Sequence, residues 1–212
     1  MKKPGVKICG ITREEDARLA VSLGATYLGF IFYPKSPRVI SLEQYLELKN
    51  TLPDCFRVAV NVRPNLESIN QQINAGFDFF QVHFSEIHDD DYLSELSQAV
   101  GQHRLWLAPK LPPGSLFPES LFQYAGTFLV DTYQKEGFGG SGKTGDWAGF
   151  KQLKSDYPEV SWILAGGLNP ENIGDAILLA DPQTVDANSG LEESSGKKSP
   201  EKLKAFFNKL QA

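Results

Sequence analysis

Four side chains that could carry acid–base or ionic chemistry stand where short apolar runs of this sequence end. Cys9, His83 and Asp131 are each the last residue of such a run, and Arg38 lies in the segment after another. A cysteine thiolate can act as a base or nucleophile where a cation or a helix N-terminus lowers its pKa. A buried aspartic acid can keep its proton near neutral pH and donate it as a general acid. The sequence thus offers a candidate base, a candidate acid and two further polar groups.

Each of these residues also has a plainer interpretation. Cys9 could be a small buried hydrophobe, and Asp131 could cap a helix or brace a loop. His83 could be an imidazole held in the core. Arg38 could be solvated, although its guanidinium fork suits a substrate carboxylate. The second cysteine, Cys55, precedes its apolar run, so we expect it on the opposite face of the fold from Cys9.

Three glycine-rich segments follow the last three apolar runs, a position where barrels often bind phosphate. The residues concerned are Gly140, Ser141 and Gly142, then Gly166 and Gly167, then Ser189 and Gly190, with Asp186 at the end of the last run. Backbone N–H groups in such loops, together with a helix N-terminus, can hold an anion. We therefore expect a phosphate site built of backbone, with no cationic cluster beside it.

The elements that must position these residues alternate along the whole chain. Eight short apolar runs, each followed by an amphipathic segment, cover residues 6–9, 27–32, 56–62, 79–83, 104–108, 128–131, 161–165 and 184–187. Continuous apolar runs are typical of parallel strands buried on both faces. Eight alternations predict one closed (β/α)₈ barrel of the α/β class, with its chemistry at the C-terminal strand ends. An open doubly wound sheet is the alternative, but its usual glycine-rich turn after the first strand is missing.

Local signals mark where several helices begin. Residues 12–15 (TREE) and 41–44 (SLEQ) have the capping-box pattern, in which two side chains satisfy free backbone N–H groups. Asn169 and Ser199 each precede a proline, which suits the first position of a helix. The fifth helical segment is the weakest, because three prolines crowd its start.

Composition removes several classes of function. The chain has 212 residues, of which 41% are hydrophobic and 22% charged, and a formal net charge of −5. Without a block of Lys and Arg, no nucleic-acid partner is expected. No apolar run approaches the ~18 residues of a membrane span, and two cysteines make neither a disulfide framework nor a zinc site. We expect one cytoplasmic domain over residues 1–212, a monomer or homodimer, that acts on a small phosphorylated molecule without a metal.

Several motifs of the chain, taken together, resemble those of one enzyme family. They are KICGIT at residues 7–12, GFIF at 29–32 with SPR at 36–38, VDT at 130–132 leading to GGSG at 139–142, LAGGL at 164–168 with PEN at 170–172, and VDANSGLE at 185–192. In this order and combination they are similar to the motifs of the phosphoribosylanthranilate isomerase family. The resemblance implies a TIM barrel enzyme of tryptophan biosynthesis that uses no metal or organic cofactor.

The family's reaction is an Amadori rearrangement of N-(5′-phosphoribosyl)anthranilate to the corresponding 1-deoxyribulose 5-phosphate. Carried over motif by motif, the resemblance implies that Cys9 is the general base and Asp131 the general acid. It also implies that Arg38 holds the anthranilate carboxylate and that the glycine-rich loops hold the phosphate. We expect His83 and Asp186 to contact the substrate as well.

Four positions depart from the family pattern. Phe84 stands where glycine is usual, which predicts added bulk beside the site, and Asn61 stands where phenylalanine is usual. Gly145 and Ser199 replace a phenylalanine and an aspartate. These departures leave open a non-catalytic or repurposed barrel that binds a sugar phosphate. Another phosphosugar isomerase or epimerase is a further alternative, although KICGIT and Arg38 fit an anthranilate substrate better.

Overall fold

In the computed structural model, eight parallel strands form a closed barrel in the order in which they occur along the chain. The structure describes residues 3–85, 89–112, 115–131 and 146–210. The strands are β1 Gly5–Cys9, β2 Tyr27–Ile31, β3 Phe56–Val62, β4 Phe79–Phe84, β5 Leu105–Pro109, β6 Thr127–Val130, β7 Ser161–Leu164 and β8 Thr184–Ala187. Because β1 also pairs with β8, the sheet has no free edge. The predicted (β/α)₈ barrel is therefore confirmed, and the open sheet is excluded.

The connections place helices around this barrel. They are α1 Glu14–Leu23, α2 Leu42–Lys49, α3 Leu66–Asn74, α4 Asp90–Val100, α5 Trp147–Asp156, α6 Ile173–Ala180 and α7 Pro200–Lys209. Between β5 and β6 the described residues form only a short 3₁₀ helix, Glu119–Gln123, as the prolines before it predict. A second 3₁₀ helix, Ser189–Leu191, and a hairpin of β9 Glu192–Ser194 and β10 Lys197–Lys198 lie between β8 and α7.

Two apolar layers hold the barrel together. Alternate residues of a strand point to opposite sides, so Val58 and Val60 face the barrel interior while Ala59 faces the helices. At the N-terminal ends of their strands, Tyr27 and Trp106 pack ring against ring with centroids 5.1 Å apart, beside other aromatic rings. These rings form an aromatic layer at the N-terminal end of the barrel.

Two of the predicted helix starts are confirmed by their hydrogen bonds. At the start of α2, the Gln44 N–H donates to the Ser41 hydroxyl over 3.1 Å, and the Ser41 N–H donates to the Gln44 side chain over 2.8 Å. This is the reciprocal pattern of a capping box. Ser199 caps α7, whose first residue is Pro200.

Two other predicted starts are wrong. The capping box at Thr12 does not form, because the Thr12 hydroxyl donates instead to the carbonyl of Gly196 and α1 begins only at Glu14. Asn169 does not start a helix either. Its side-chain oxygen accepts from the backbone of Glu171 and Asn172 and closes a turn, and α6 begins at Ile173.

Candidate active site

A cavity of about 280 Å³ opens at the C-terminal end of the barrel. Every predicted site residue within the described part of the chain lines it: Cys9, Arg38, His83, Asp131, Gly166, Gly167, Asp186, Ser189 and Gly190. The remaining predicted residues, Gly140, Ser141 and Gly142, lie outside the described residues. Residues at or after the C-terminal ends of strands that are far apart in the sequence therefore line one cavity.

Cys9 shares the interior face of β1 with a buried lysine. Lys7 is two residues earlier on the same strand, and its Nζ lies 2.9 and 3.0 Å from the two carboxylate oxygens of Asp186. The register of β1 and β8 sets these two residues directly opposite each other. The base candidate thus stands above a buried ion pair.

The surroundings of Cys9 differ from the expected ones in one respect. The cation that a reactive cysteine needs is present as Lys7, but α1 starts too late for its N-terminus to lie at Thr12. Burial raises the pKa of the Cys9 thiol, and although Lys7 lowers it, the net pKa stays above its usual value. In most molecules the Cys9 side chain is therefore a protonated thiol at neutral pH.

Asp131 comes directly after β6 and is half-buried in the wall of the same cavity. Strands β7 and β8 separate β6 from β1 on one side of the barrel. A substrate in the cavity would therefore have Cys9 and Asp131 on different sides of it.

His83 is held as a neutral ring. Burial, together with the charge of Lys7, lowers its pKa to about 4. The Gln81 amide nitrogen lies 2.8 Å from the Nε2 atom of His83. An uncharged imidazole can exchange hydrogen bonds with a substrate, but it adds no positive charge to the site.

Arg38 belongs to a buried network of three charged side chains. Its guanidinium donates to both carboxylate oxygens of Glu192, and Lys198 donates to the same carboxylate over 3.0 Å. Burial alone would raise the pKa of Glu192, but the hydrogen bonds from Arg38 and Lys198 bring it below its usual value. Burial lowers the pKa of Lys198, but its Nζ donates to three oxygen acceptors, so the Glu192 carboxylate lies between two cationic side chains.

This network corrects the expectation that no cation lies near the glycine-rich loops. Lys198 Nζ also donates to the backbone and side-chain oxygens of Asn188, over 3.2 and 2.9 Å. Asn188 begins the loop that contains Ser189 and Gly190, so a buried ammonium stands directly behind that loop. The expectation was wrong because it relied on the net charge of the whole chain, which does not report the local charge beside this loop.

The loops after β7 and β8 contact each other, and glycines occupy the positions where a side chain would be strained or would clash. Gly166 and Gly167 have positive φ angles of 95° and 64°, which side-chain-bearing residues rarely adopt. A Cβ atom on Gly190 would lie 2.2 Å from the carbonyl oxygen of Leu168. The two loops therefore pack backbone against backbone at this point of the cavity wall.

Three of the departures from the family pattern have structural explanations. Phe84 is buried in the layer between strands and helices and not in the cavity, so the added bulk predicted beside the site is wrong. Asn61 exchanges two 3.0 Å hydrogen bonds with Gln72 of α3, which satisfies both buried amides. Ser199 caps a helix, as aspartate also can. Gly145 lies outside the described residues.

Sequence reasoning missed three charged residues of the site: Lys7, Glu192 and Lys198. A signal for one of them was available, since a lysine inside an apolar strand and two residues before a cysteine must share its face. Glu192 and Lys198 lie in the hairpin after β8, and only the folded hairpin shows that they are buried beside Arg38.

Two general properties can be stated for the described part of the chain. It contains no group of three or more His, Cys, Asp and Glu side chains placed to hold a metal ion. Nor does any helix there combine the length and the apolar character needed to cross a bilayer.

Comparisons with known proteins identify the family. The model of the N-(5′-phosphoribosyl)anthranilate (PRA) isomerase family matches residues 6–209. The N-(5′-phosphoribosyl)anthranilate isomerase of Aquifex aeolicus is 37% identical over 209 residues, 98% of each chain.

Solved structures of the same family share the fold. The crystal structure of phosphoribosyl anthranilate isomerase from Thermus thermophilus has a TM-score of 0.80 and 34% identity, covering 98% of both chains. Another phosphoribosyl anthranilate isomerase, in complex with reduced 1-(o-carboxyphenylamino)-1-deoxyribulose 5-phosphate, has a TM-score of 0.73 and 30% identity over 98% of both chains. The family expected from the motifs is confirmed: this chain belongs to the N-(5′-phosphoribosyl)anthranilate isomerase family.

Proposed function

We propose that this chain isomerises N-(5′-phosphoribosyl)anthranilate, with Asp131 as general acid and Cys9 as general base. Asp131 gives a proton to the furanose ring oxygen, the C1′–O bond breaks, and the anthranilate nitrogen forms a Schiff base with C1′. The Cys9 thiolate then removes the proton from C2′, which gives an enolamine. Protonation of C1′ and loss of the proton on the 2′ oxygen turn this enolamine into the ketone product.

The observation that carries the proposal is the shared cavity of Cys9 and Asp131. The two groups approach a bound sugar from different sides, as a reaction with one proton donor and one proton acceptor requires. The raised pKa of Cys9 limits the fraction of thiolate, but it also makes each thiolate a stronger base. Positioned acid–base groups of this kind contribute about 10²–10⁴-fold each to a rate.

The anthranilate carboxylate is assigned to Arg38. Glu192 occupies the side of the guanidinium formed by Nε and one edge of Nη2. The opposite end, formed by Nη1 and the second N–H of Nη2, can still bind a carboxylate through two hydrogen bonds. We therefore expect the substrate carboxylate to bind at this end of the guanidinium only.

The phosphate is assigned to the loops after β7 and β8. Gly166, Gly167 and Gly190 bring backbone to the cavity surface without a side chain, and Ser189 adds a hydroxyl group there. Lys198, behind the second loop, adds positive potential. His83 and Asp186 are left for hydrogen bonds to the sugar hydroxyl groups. The segment with Gly140, Ser141 and Gly142 stays a predicted third part of this phosphate site.

We also propose that residues 1–212 form one cytoplasmic barrel domain, monomeric or homodimeric, whose partner is a small phosphorylated substrate. Light scattering coupled to size-exclusion chromatography distinguishes the two assembly states.

A fluorescence assay of purified protein with freshly prepared N-(5′-phosphoribosyl)anthranilate tests the function. We expect the substrate fluorescence to decay catalytically, at the same rate with and without EDTA. Binding of the substrate without decay would instead support a non-catalytic phosphosugar-binding barrel. Turnover of other phosphosugars but not of this one would support a different isomerase or epimerase.

A further inference from the structure

Lys7 is a buried cation that the proposed reaction leaves without a task. Its side chain is completely buried inside the barrel, where a lysine is rarely found unless it is paired. Asp186 supplies the pairing carboxylate. Burying such a pair brings little stability on its own, so its presence calls for another explanation.

The side chains of Lys7 and Cys9 converge beside β2. A Cβ atom on Gly29 would lie 3.0 Å from Cys9 Sγ and 3.0 Å from Lys7 Nζ. The register of β1 and β2 sets Gly29 opposite Cys9, so the absence of a side chain there leaves room for both groups. The ammonium therefore reaches up the strand to the level of the sulfur.

We propose that Lys7 is a positioning residue for the general base, and that its ammonium, oriented by Asp186, stabilises the Cys9 thiolate. The inference rests on the proposed function, because it assumes that Cys9 is the base. It assigns to the Lys7–Asp186 pair a task beyond filling the barrel: one end of the pair faces the sulfur that must hold a negative charge.

Other charged groups around Cys9 act more weakly or in the opposite direction. Lys198, in the hairpin after β8, also favours the thiolate. Arg38, in the loop after β2, attracts the negative charge of the thiolate as well. Asp186 opposes ionisation of the thiol, and Asp131 lines the same cavity from β6. Among the cations, Lys7 lowers the pKa of the Cys9 thiol the most.

Asp186 has two effects with opposite consequences for the thiol. Burial alone would lower the pKa of Lys7, but Asp186 and Cys9 raise it above its usual value, so the side chain stays an ammonium. The carboxylate also competes with the thiolate for that ammonium. Removing Asp186 alone therefore changes the thiol in two opposing ways, whereas removing Lys7 takes away the cation that stabilises the thiolate.

The test measures the ionisation of Cys9 without relying on activity. In a Cys55→Ala background, the rate of alkylation by iodoacetamide against pH, followed by intact mass, reports Cys9 alone. Lys7→Met should raise the apparent pKa of the thiol by about one unit or more. The double variant Lys7→Met/Asp186→Asn, which leaves no unpaired buried charge, should also raise the pKa. Lys151→Met, on the exposed surface of α5, is the matched control and should leave it unchanged.

The outcomes separate this inference from the proposed function. If the double variant leaves the pKa of Cys9 unchanged, Lys7 does not stabilise the thiolate. Activity of Cys9→Ala then decides the other question. Loss of turnover in that variant with no pKa shift in the Lys7 variants would overturn the inference alone, whereas retained turnover would overturn Cys9 as the base.

Discussion

The guanidinium of Arg38 donates three hydrogen bonds to the carboxylate of Glu192, at 2.7, 2.8 and 3.0 Å. The two residues are 154 positions apart, and the hairpin after β8 brings them together above the barrel. Glu192 fixes the plane of the guanidinium, and Lys198 compensates the charge of Glu192. Arg38 is thereby held rigid and remains effectively positive toward the cavity.

Replacing Arg38 with lysine tests the role of this geometry. An ammonium cannot bind Glu192 and a substrate carboxylate through two pairs of parallel hydrogen bonds. We expect Arg38→Lys to raise KM by about tenfold or more, equivalent to ~1.4 kcal/mol, with a smaller effect on kcat. Steady-state kinetics measure both constants. Arg18→Lys, on exposed α1, should behave as wild type, and an Arg38→Lys enzyme with unchanged KM would show that the carboxylate binds elsewhere.

Asp131→Asn keeps the shape of the proposed acid and removes its proton. Ring opening should then slow by about 10²-fold or more, while the affinity for a product analogue stays within a few-fold of wild type. Single-turnover rates and calorimetric binding give the two quantities. Asp175→Asn, an exposed change on α6, controls for the loss of a carboxylate elsewhere. An unaltered single-turnover rate in Asp131→Asn would exclude this residue as the acid.

The contact between the last two loops gives a prediction for phosphate binding. Because a Cβ atom on Gly190 would lie 2.2 Å from the Leu168 carbonyl oxygen, Gly190→Ala must push the two loops apart. We expect KM to rise by about tenfold and inhibition by inorganic phosphate to weaken in parallel. Lys151→Ala should change neither value, since this lysine is exposed outside the cavity. Phosphate inhibition as strong as in wild type would place the phosphate away from this contact.

His83 gives a prediction for stability in acid. Its pKa is about 4 in the folded protein and about 6.5 when unfolded, so the unfolded chain takes up the proton first as pH falls. Stability is therefore lost between about pH 6.5 and 4, by up to roughly 3 kcal/mol from this residue. Urea unfolding at pH 7 and pH 4.5 should show a smaller loss for His83→Gln than for wild type. The exposed His103→Gln serves as control, and equal losses in His83→Gln and wild type would contradict the buried neutral ring.

Much of this architecture could be predicted because its signals are local. The eight apolar runs match the eight strands to within one residue at each end, since strands buried on both faces are apolar throughout. Once the barrel is inferred, the ends of its strands must meet. That is why the sequence alone predicts Cys9, His83 and Asp131 in one site, and all three line the same cavity.

The remaining features depend on pairings between distant segments. Lys7 and Asp186 are 179 residues apart, and they face each other only because the closing register of β1 and β8 sets them opposite. Thr12 begins a capping-box motif, yet its hydroxyl donates a hydrogen bond to the carbonyl of Gly196 and not to a helix start. Phe84 is a different case, because strand alternation alone predicts that it faces away from His83.

The most direct test of the catalytic assignment compares wild type with Cys9→Ala on the same preparation of N-(5′-phosphoribosyl)anthranilate, with Cys55→Ala as the matched cysteine control. We expect wild type and Cys55→Ala to convert the substrate at similar rates, because Cys55 lies outside the cavity. Cys9→Ala should be slower by about 10²–10⁴-fold while binding a product analogue with nearly unchanged affinity. Equal conversion by Cys9→Ala and wild type would contradict the account, since the proton at C2′ would then leave to a different base.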